Sequence, residues 1–267
     1  MKIKYWFIIV VLCFAHCRSF AQTNPVSELM HLFDNLDKWD EKQDDNKGDS
    51  LESINHSIEH LLIQNPALLG ENFEFDSYGR RMLTSEDKKI RIYCWDDRLG
   101  GTMRYAYSVM HYKGKHGYVS LDICKDTAED PPTLCPFYRE LYTFNTKKGD
   151  TVYISITQFV FSTGAGAFTV EAFKLVGDSL AWDVPFFQTR TKTLGSINYE
   201  YDISYGGPNR SYEGSIAINI SKETGELFIP LINDRNKITG NFLKYIFNGE
   251  VFKYEGIVSE KELVGEH

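Results

Sequence analysis

The fold turns on one stretch, Ser85-Glu86-Asp87-Lys88-Lys89-Ile90-Arg91-Ile92-Tyr93-Cys94-Trp95-Asp96-Asp97-Arg98-Leu99-Gly100-Gly101-Thr102-Met103-Arg104. Ile90, Ile92 and Cys94 alternate with Arg91, Tyr93 and Trp95, the period of two that marks a half-buried strand. Ser85 to Lys88 is turn chemistry before it, and Gly100-Gly101 reverses the chain after it. The alternation resumes at Met103, Tyr105, Tyr107 and Val109. It returns at Val152, Ile154 and Ile156, and again at Ile197, Tyr199, Tyr201, Ile203 and Tyr205. Lys148-Gly149-Asp150, Gly177-Asp178, Thr224-Gly225 and Asn248-Gly249 are further hairpin signals. Hairpin after hairpin without intervening helices predicts antiparallel pairing, because parallel strands need long crossovers.

The pattern therefore predicts a mainly β fold, an antiparallel meander of about a dozen strands. A barrel, a two-sheet sandwich and an irregular small propeller would each manage the sheet edges. The absence of a fixed repeat period weakens the propeller.

Working back toward the N-terminus, the period changes to that of helices. Asn24-Pro25 is a helix start, followed by an apolar stripe at Val26, Leu29, Met30, Phe33 and Leu36. An acidic linker leads to a second helix expected from Asp49, with Glu52 completing a capping box. Its buried face is Leu51, Ile54, Ile58, Leu61 and Leu62, and Pro66 ends it. The domain reading is a signal peptide over 1–22, a helical segment over 23–79 packed on the sheet, an antiparallel β domain over 80–258, and a tail over 259–267.

Lys2 and Lys4 followed by the short apolar run Tyr5 to Ala15 form a secretory signal, with Ser19 and Ala21 at the −3 and −1 positions. The chain is thus expected to be exported, to the periplasm or beyond the cell, with no membrane span after signal removal. The 267 residues carry 29 basic and 37 acidic side chains. Loss of Lys2, Lys4 and Arg18 leaves 26 against 37, a net charge of −11. That sign argues against nucleic-acid partners. Cys13 and Cys17 leave with the signal. Cys124 and Cys135 flank a turn-rich loop and are expected to form a disulfide, while Cys94 points into a core.

Several motifs resolve into ordinary structure. His56-Ser57-Ile58-Glu59-His60 has the spacing of an inverted zinc-protease motif, but both histidines lie about 180° from the apolar stripe at 100° per residue. They face solvent, where a catalytic zinc lacks a walled cavity. Gly177-Asp178-Ser179-Leu180 spells the signature of the GDSL esterases, yet only His267 follows it and the strand-to-helix context is missing. Gly164-Ala165-Gly166 lacks the helix and third glycine of a dinucleotide fingerprint, and Asp44 to Gly48 fails the calcium-loop ligand order. Sequons occur at Asn55, Asn209 and Asn219. These readings assign no catalytic residues, no metal site and no cofactor.

The end of the decisive strand is the candidate ligand site. Trp95, Asp96, Asp97 and Arg104 offer an indole, two carboxylates and a guanidinium, a set suited to a glycan or peptide through stacking and bidentate hydrogen bonds. The leading expectation is a non-enzymatic binding or interaction module with a glycan or protein partner in the cell envelope. The alternatives are a glycosidase-like hydrolase using Asp96 and Asp97, and a purely structural envelope protein.

The block from Ser85 to Tyr93, with Trp95-Asp96 and Gly100-Gly101-Thr102-Met103, resembles one found in uncharacterised secreted proteins of Gram-negative bacteria. The resemblance extends over the preceding helices, about the first half of the chain. It implies export and brings no activity with it.

Overall fold

The computed structural model describes residues 24–124, 135–203, 216–260 and 262. The segment read as a signal peptide, the interior of the Cys124–Cys135 loop, Tyr205, Asn209 and residues 261 and 263–267 of the C-terminal tail lie outside them.

Two helices open the described chain. Helix α1 (Pro25–Asp40) begins as predicted, with the Asn24 side chain accepting a hydrogen bond from Val26 N at 3.0 Å and Pro25 in the first turn. It buries Leu29, Phe33 and Leu36. Helix α2 (Lys47–Gln64) starts three residues earlier than the Asp49 cap predicts, from Asn46 without a side-chain cap. Lys47 takes over the anchoring role, its ammonium bonding to the backbone carbonyl and carboxylate of Asp40 and so tying the two helices together. A short 3-10 turn (Pro66–Gly70) follows.

Strand accounts for 46% of the described residues and helix for 19%, which makes the fold mainly β, as the alternation predicts. The fifteen strands described divide into three sheets. The first contains β1 (Arg80–Thr84), β2 (Ile90–Asp96), β3 (Ala106–Lys113) and β4 (Tyr118–Asp122), in sequence order. The second has the order β11-β7-β6-β5, from Ser196–Asp202, Ala165–Val176, Thr151–Val160 and Phe137–Asn145, with β8 (Ser179–Ala181) beside β7. The third runs β10-β9-β15-β14-β13-β12, from Thr193–Leu194, Phe187–Gln188, Phe252–Ser259, Ile238–Phe247, Glu226–Ile232 and Asn219–Ser221. All the predicted turns join neighbouring strands. At the β14–β15 turn, Gly249 takes φ +94°, which a side chain would resist, and the Asn248 side-chain Oδ1 accepts from Glu250 N and Val251 N. Two pairings depart from the meander: β11 returns antiparallel to β7, and β15 runs parallel to the two-residue β9.

Three apolar cores stack these elements into layers. The helices pack through Leu29, Phe33, Ile58 and Leu62 onto Tyr93, Trp95 and Val109 of the first sheet. The opposite face of that sheet, Ile90, Ile92, Cys94 and Met110, meets Phe137, Tyr138, Tyr153 and Phe173 of the second. The far side of the second sheet, Val152, Ile154, Ile156 and Val170, meets Leu227, Ile229, Tyr245 and Phe252 of the third. The architecture is thus a sandwich extended by one more sheet and a helical layer. Strand β2 is not half-buried as its pattern suggests; every one of its residues is buried. Its alternation separates two cores rather than core from solvent.

Cys124 and Cys135 are disulfide-bonded, and Cys94 is a buried free thiol whose pKa burial pushes up. No helix among the described residues is long and apolar enough to cross a membrane.

Replacing both Cys124 and Cys135 by Ser should lower the unfolding free energy by about 2–3 kcal/mol, the loop-closure value for a bridge of this span, measured by urea denaturation. His111, fully buried on β3 with Nε2 on the carbonyl of Leu62 at 2.9 Å, has its pKa lowered to about 4 by burial. Its folded pKa lies below the unfolded one, so the unfolded chain binds the proton more tightly. The resulting stability is present above the ordinary histidine range and is lost as pH falls from about 6.5 to about 4, a change of about 3 kcal/mol. Denaturation curves across that window should flatten in His111→Gln.

Candidate functional site

The four residues singled out at the end of β2 part company in the structure. Trp95 points toward the helices and is fully buried. Its ring stacks on Tyr107 with centroids 5.4 Å apart and meets the edge of Phe33 at 5.8 Å. Its indole N–H donates to Asn55 Oδ1 at 2.8 Å. Both ring faces and the polar handle are occupied, so Trp95 is a core residue and not a stacking platform for a ligand.

Asn55 is the residue that sequence reasoning passed over. It stood as a glycosylation sequon, yet it is fully buried on the inner face of α2. Besides accepting from Trp95, its amide donates to the backbone carbonyl of Asp97 at 2.8 Å. One side chain thus fixes both the indole and the start of the following turn, and glycan attachment to Asn55 is sterically closed. The signal was present as a polar residue one helical turn from Leu51 and Ile58, on the apolar face. Asn219 is exposed on β12, and Asn209 lies outside the described residues.

Asp97 folds back onto its own turn, with Oδ1 accepting from Leu99 N at 2.9 Å. Burial, with Asp96 adjacent, pushes its carboxyl pKa up. Gly100 is required in this turn, because a Cβ there would stand 2.1 Å from the carbonyl oxygen of Met103. Arg98 reaches away from the aspartates to Asp37 and Asp40 of α1, at 3.2 and 3.8 Å, and donates to Tyr78 O at 2.8 Å. The turn is therefore clamped to the helical layer from both sides.

Asp96 and Arg104 do come together. The Asp96 carboxylate, itself buried, accepts from the Arg104 guanidinium at 2.6 Å and from Arg98 N at 3.0 Å. The Arg104 backbone N–H donates to Val160 O of β6, a single bridge joining the first sheet to the second. The pair stands in a cleft of about 260 Å³ between these sheets, also lined by Arg81, Arg139, Tyr78 and Cys94. Arg81 donates to the Arg139 carbonyl at 2.8 Å, and Arg139 Nε donates to Gln158 Oε1 at 2.8 Å. Burial lowers the Arg139 pKa, and Arg81 adds like-charge repulsion. Asp96 is the single carboxylate lining the cleft among the described residues, and Asp97 does not reach it. Two carboxylates flanking one bond, as glycoside hydrolysis needs, are not brought together here.

His56 and His60 are exposed on α2, bonded to Glu59 and Gln64 respectively, and no cluster of metal-ligating side chains occurs among the described residues. Gly177-Asp178 is the β7–β8 turn, with Gly177 at φ +64°. Asp178 is engaged by His116 from the β3–β4 turn, through its backbone N–H at 2.8 Å and through its ring. Gly164-Ala165 turns β6 into β7, and Asp44 accepts from Asn46 N at the approach to α2.

No family model matches the chain, and neither a curated protein nor a solved structure matches it.

The Asn55 knot makes a direct prediction. Asn55→Ala would leave the Trp95 indole N–H and the Asp97 carbonyl buried without partners. It should cost roughly 2–4 kcal/mol in a urea unfolding experiment, against less than 1 kcal/mol for Asn219→Ala.

Proposed function

We propose that the chain is an exported, non-enzymatic binding module whose ligand is a carboxylate-bearing glycan or acidic peptide, held in the cleft between the first and second sheets. The observation carrying this reading is the convergence of Arg81, Arg104 and Arg139 on one concavity that holds a single carboxylate, Asp96. With Asp96 committed to Arg104, the cleft retains a net positive charge. An entering carboxylate would relieve the repulsion between Arg81 and Arg139, and planar guanidinium forks suit its two oxygens. Arg104, whose side chain is 42% exposed, supplies the open edge. Tyr78, 74% exposed at the mouth, offers a face on which a sugar ring or side chain can stack. The disulfide fits an oxidising compartment, periplasmic or extracellular, and such a ligand fits a partner in the cell envelope.

The test is a binding screen of uronic-acid-containing glycans and acidic peptides beside their neutral counterparts, with Arg81→Ala as the diagnostic variant. Arg81 is exposed and outside the cores, so the variant should fold. Acidic ligands should bind the wild type and lose about tenfold in affinity to Arg81→Ala, with no turnover in either protein. Equal binding of neutral and acidic ligands, or turnover of a glycan, would sink the proposal.

A further inference from the structure

A second, larger cleft lies at the opposite end of the first sheet. The register places it there: Trp95, beside Asp96, pairs with Arg80 and Tyr107, whereas Arg91 pairs with Thr84 and His111. Around Arg91 the β1–β2 turn, the β3–β4 turn and the end of β7 converge on a volume of about 1000 Å³. Lys88, Lys89, Lys113 and Lys115 stand around it, and Leu69, Met82 and Leu175 supply apolar wall.

The charges there are not internally balanced. Arg91 is committed to the carbonyls of Leu68 and Glu71, both at 2.7 Å, and Lys89 pairs with Asp87 at 3.6 Å. Asp87, the one carboxylate lining the cleft among the described residues, is turned into the protein. It accepts from Ser85 Oγ and Tyr153 OH, each at 2.7 Å, and so holds the turn that presents the lysines. Asp178, on the adjoining turn, is engaged by His116. Lys88, Lys113 and Lys115 have no carboxylate partner among the described residues. The chain has 37 acidic side chains for 29 basic ones, so counter-charges are plentiful elsewhere.

A second observation is independent of charge. Lys88 sits at φ +56°, in the left-handed region where glycine or asparagine rests at lower cost. A lysine held in that conformation, at the rim of a cleft already rich in lysine, is strain placed at a site.

We propose that this lysine-ringed cleft is a second ligand site, binding a phosphate-bearing ligand through Lys88, Lys113 and Lys115. Several mobile ammonium groups around one centre match the multiple charge of a phosphate, whereas the rigid forks of the other cleft match a carboxylate. The apolar wall fits an apolar group joined to the phosphate. The two sites stand or fall separately.

The experiment is calorimetric titration of the full chain with pyrophosphate at low salt. It is repeated on Lys88→Gly, on the double variant Lys113→Gln/Lys115→Gln, and on Arg81→Ala. Alongside, vesicles of phosphatidylcholine with and without phosphatidic acid are tested for co-sedimentation. The wild type should bind pyrophosphate, and added salt should weaken it. The lysine variants should each lose about tenfold or more in affinity, and Arg81→Ala should bind as the wild type does. Lys88→Gly relaxes the backbone at φ +56°, so its melting temperature should hold or rise while binding falls, which separates loss of the site from loss of the fold. Capture by phosphatidic acid vesicles, competed by pyrophosphate, supports the site with a lipid as the phosphate's source. Pyrophosphate binding without vesicle capture supports it with a soluble source. Binding of neither probe, or binding unchanged in the lysine variants, overturns the proposal.

Discussion

Strand β2 has no face open to water, and the arrangement of the molecule around it follows from that. A strand buried on both sides needs an apolar layer against each face and a partner for every polar group it carries inward. Tyr93 and Trp95 supply one face and draw the helices onto it; Ile90, Ile92 and Cys94 supply the other and draw in the second sheet. The Tyr93 hydroxyl is buried without a hydrogen-bond partner among the described residues, and the other polar groups find theirs one by one. Arg91 ends on backbone carbonyls, the Trp95 indole on Asn55, and the Asp96 carboxylate on Arg104. The helical segment is thus not an appendage to a β domain. It is the lid without which Trp95 and Tyr93 would face solvent.

The same constraint explains where concavities form. The interior of the first sheet is filled on both sides, and the two clefts considered above lie at its ends, where hairpin turns leave the stack. At one end the turn after β2 brings Asp96 and Arg104 beside Arg81 and Arg139; at the other, the β1–β2 and β3–β4 turns bring lysines together. Each end collects cations from strands or turns distant in sequence. The two collections differ in kind, guanidinium forks partly buried between sheets in one case and solvated ammonium groups in the other. That difference in hydration and geometry is the basis on which different ligand classes are proposed for them.

Legibility from sequence followed the range of the interaction. Local signals were readable: the Asn24-Pro25 start of α1, the period-two runs, and the glycine turns at 149, 177, 225 and 249 each reflect constraints between near neighbours. The fate of Trp95 was not. Alternation told that it shared a face with Tyr93, but not that α1 and α2 would cover that face, because the covering residues lie 30 to 70 positions away. Asn55 was hidden for a related reason, since a sequon and a buried amide are the same letters and only the approach of Trp95 decides between them. The candidate cluster was accordingly half legible. Asp96 and Arg104 meet at a separation of eight positions, while Arg81 and Arg139 enter from separate strands.

Net charge illustrates the same limit from the side of electrostatics. An excess of acidic residues governs the field felt at a distance and so disfavours extended polyanions such as nucleic acid. Within a cleft the nearest groups dominate, because salt screens exposed charges beyond about 8–10 Å. Lys88, Lys113 and Lys115 are set by turn geometry, and the acids that outnumber them overall stand on other surfaces or are engaged by His116, Tyr153 and Ser85. A small anion entering such a cleft meets local cations while the remote field repels it only weakly. An acidic protein can therefore carry two anion-selective concavities, and its overall charge then acts to exclude large polyanions while admitting small ligands.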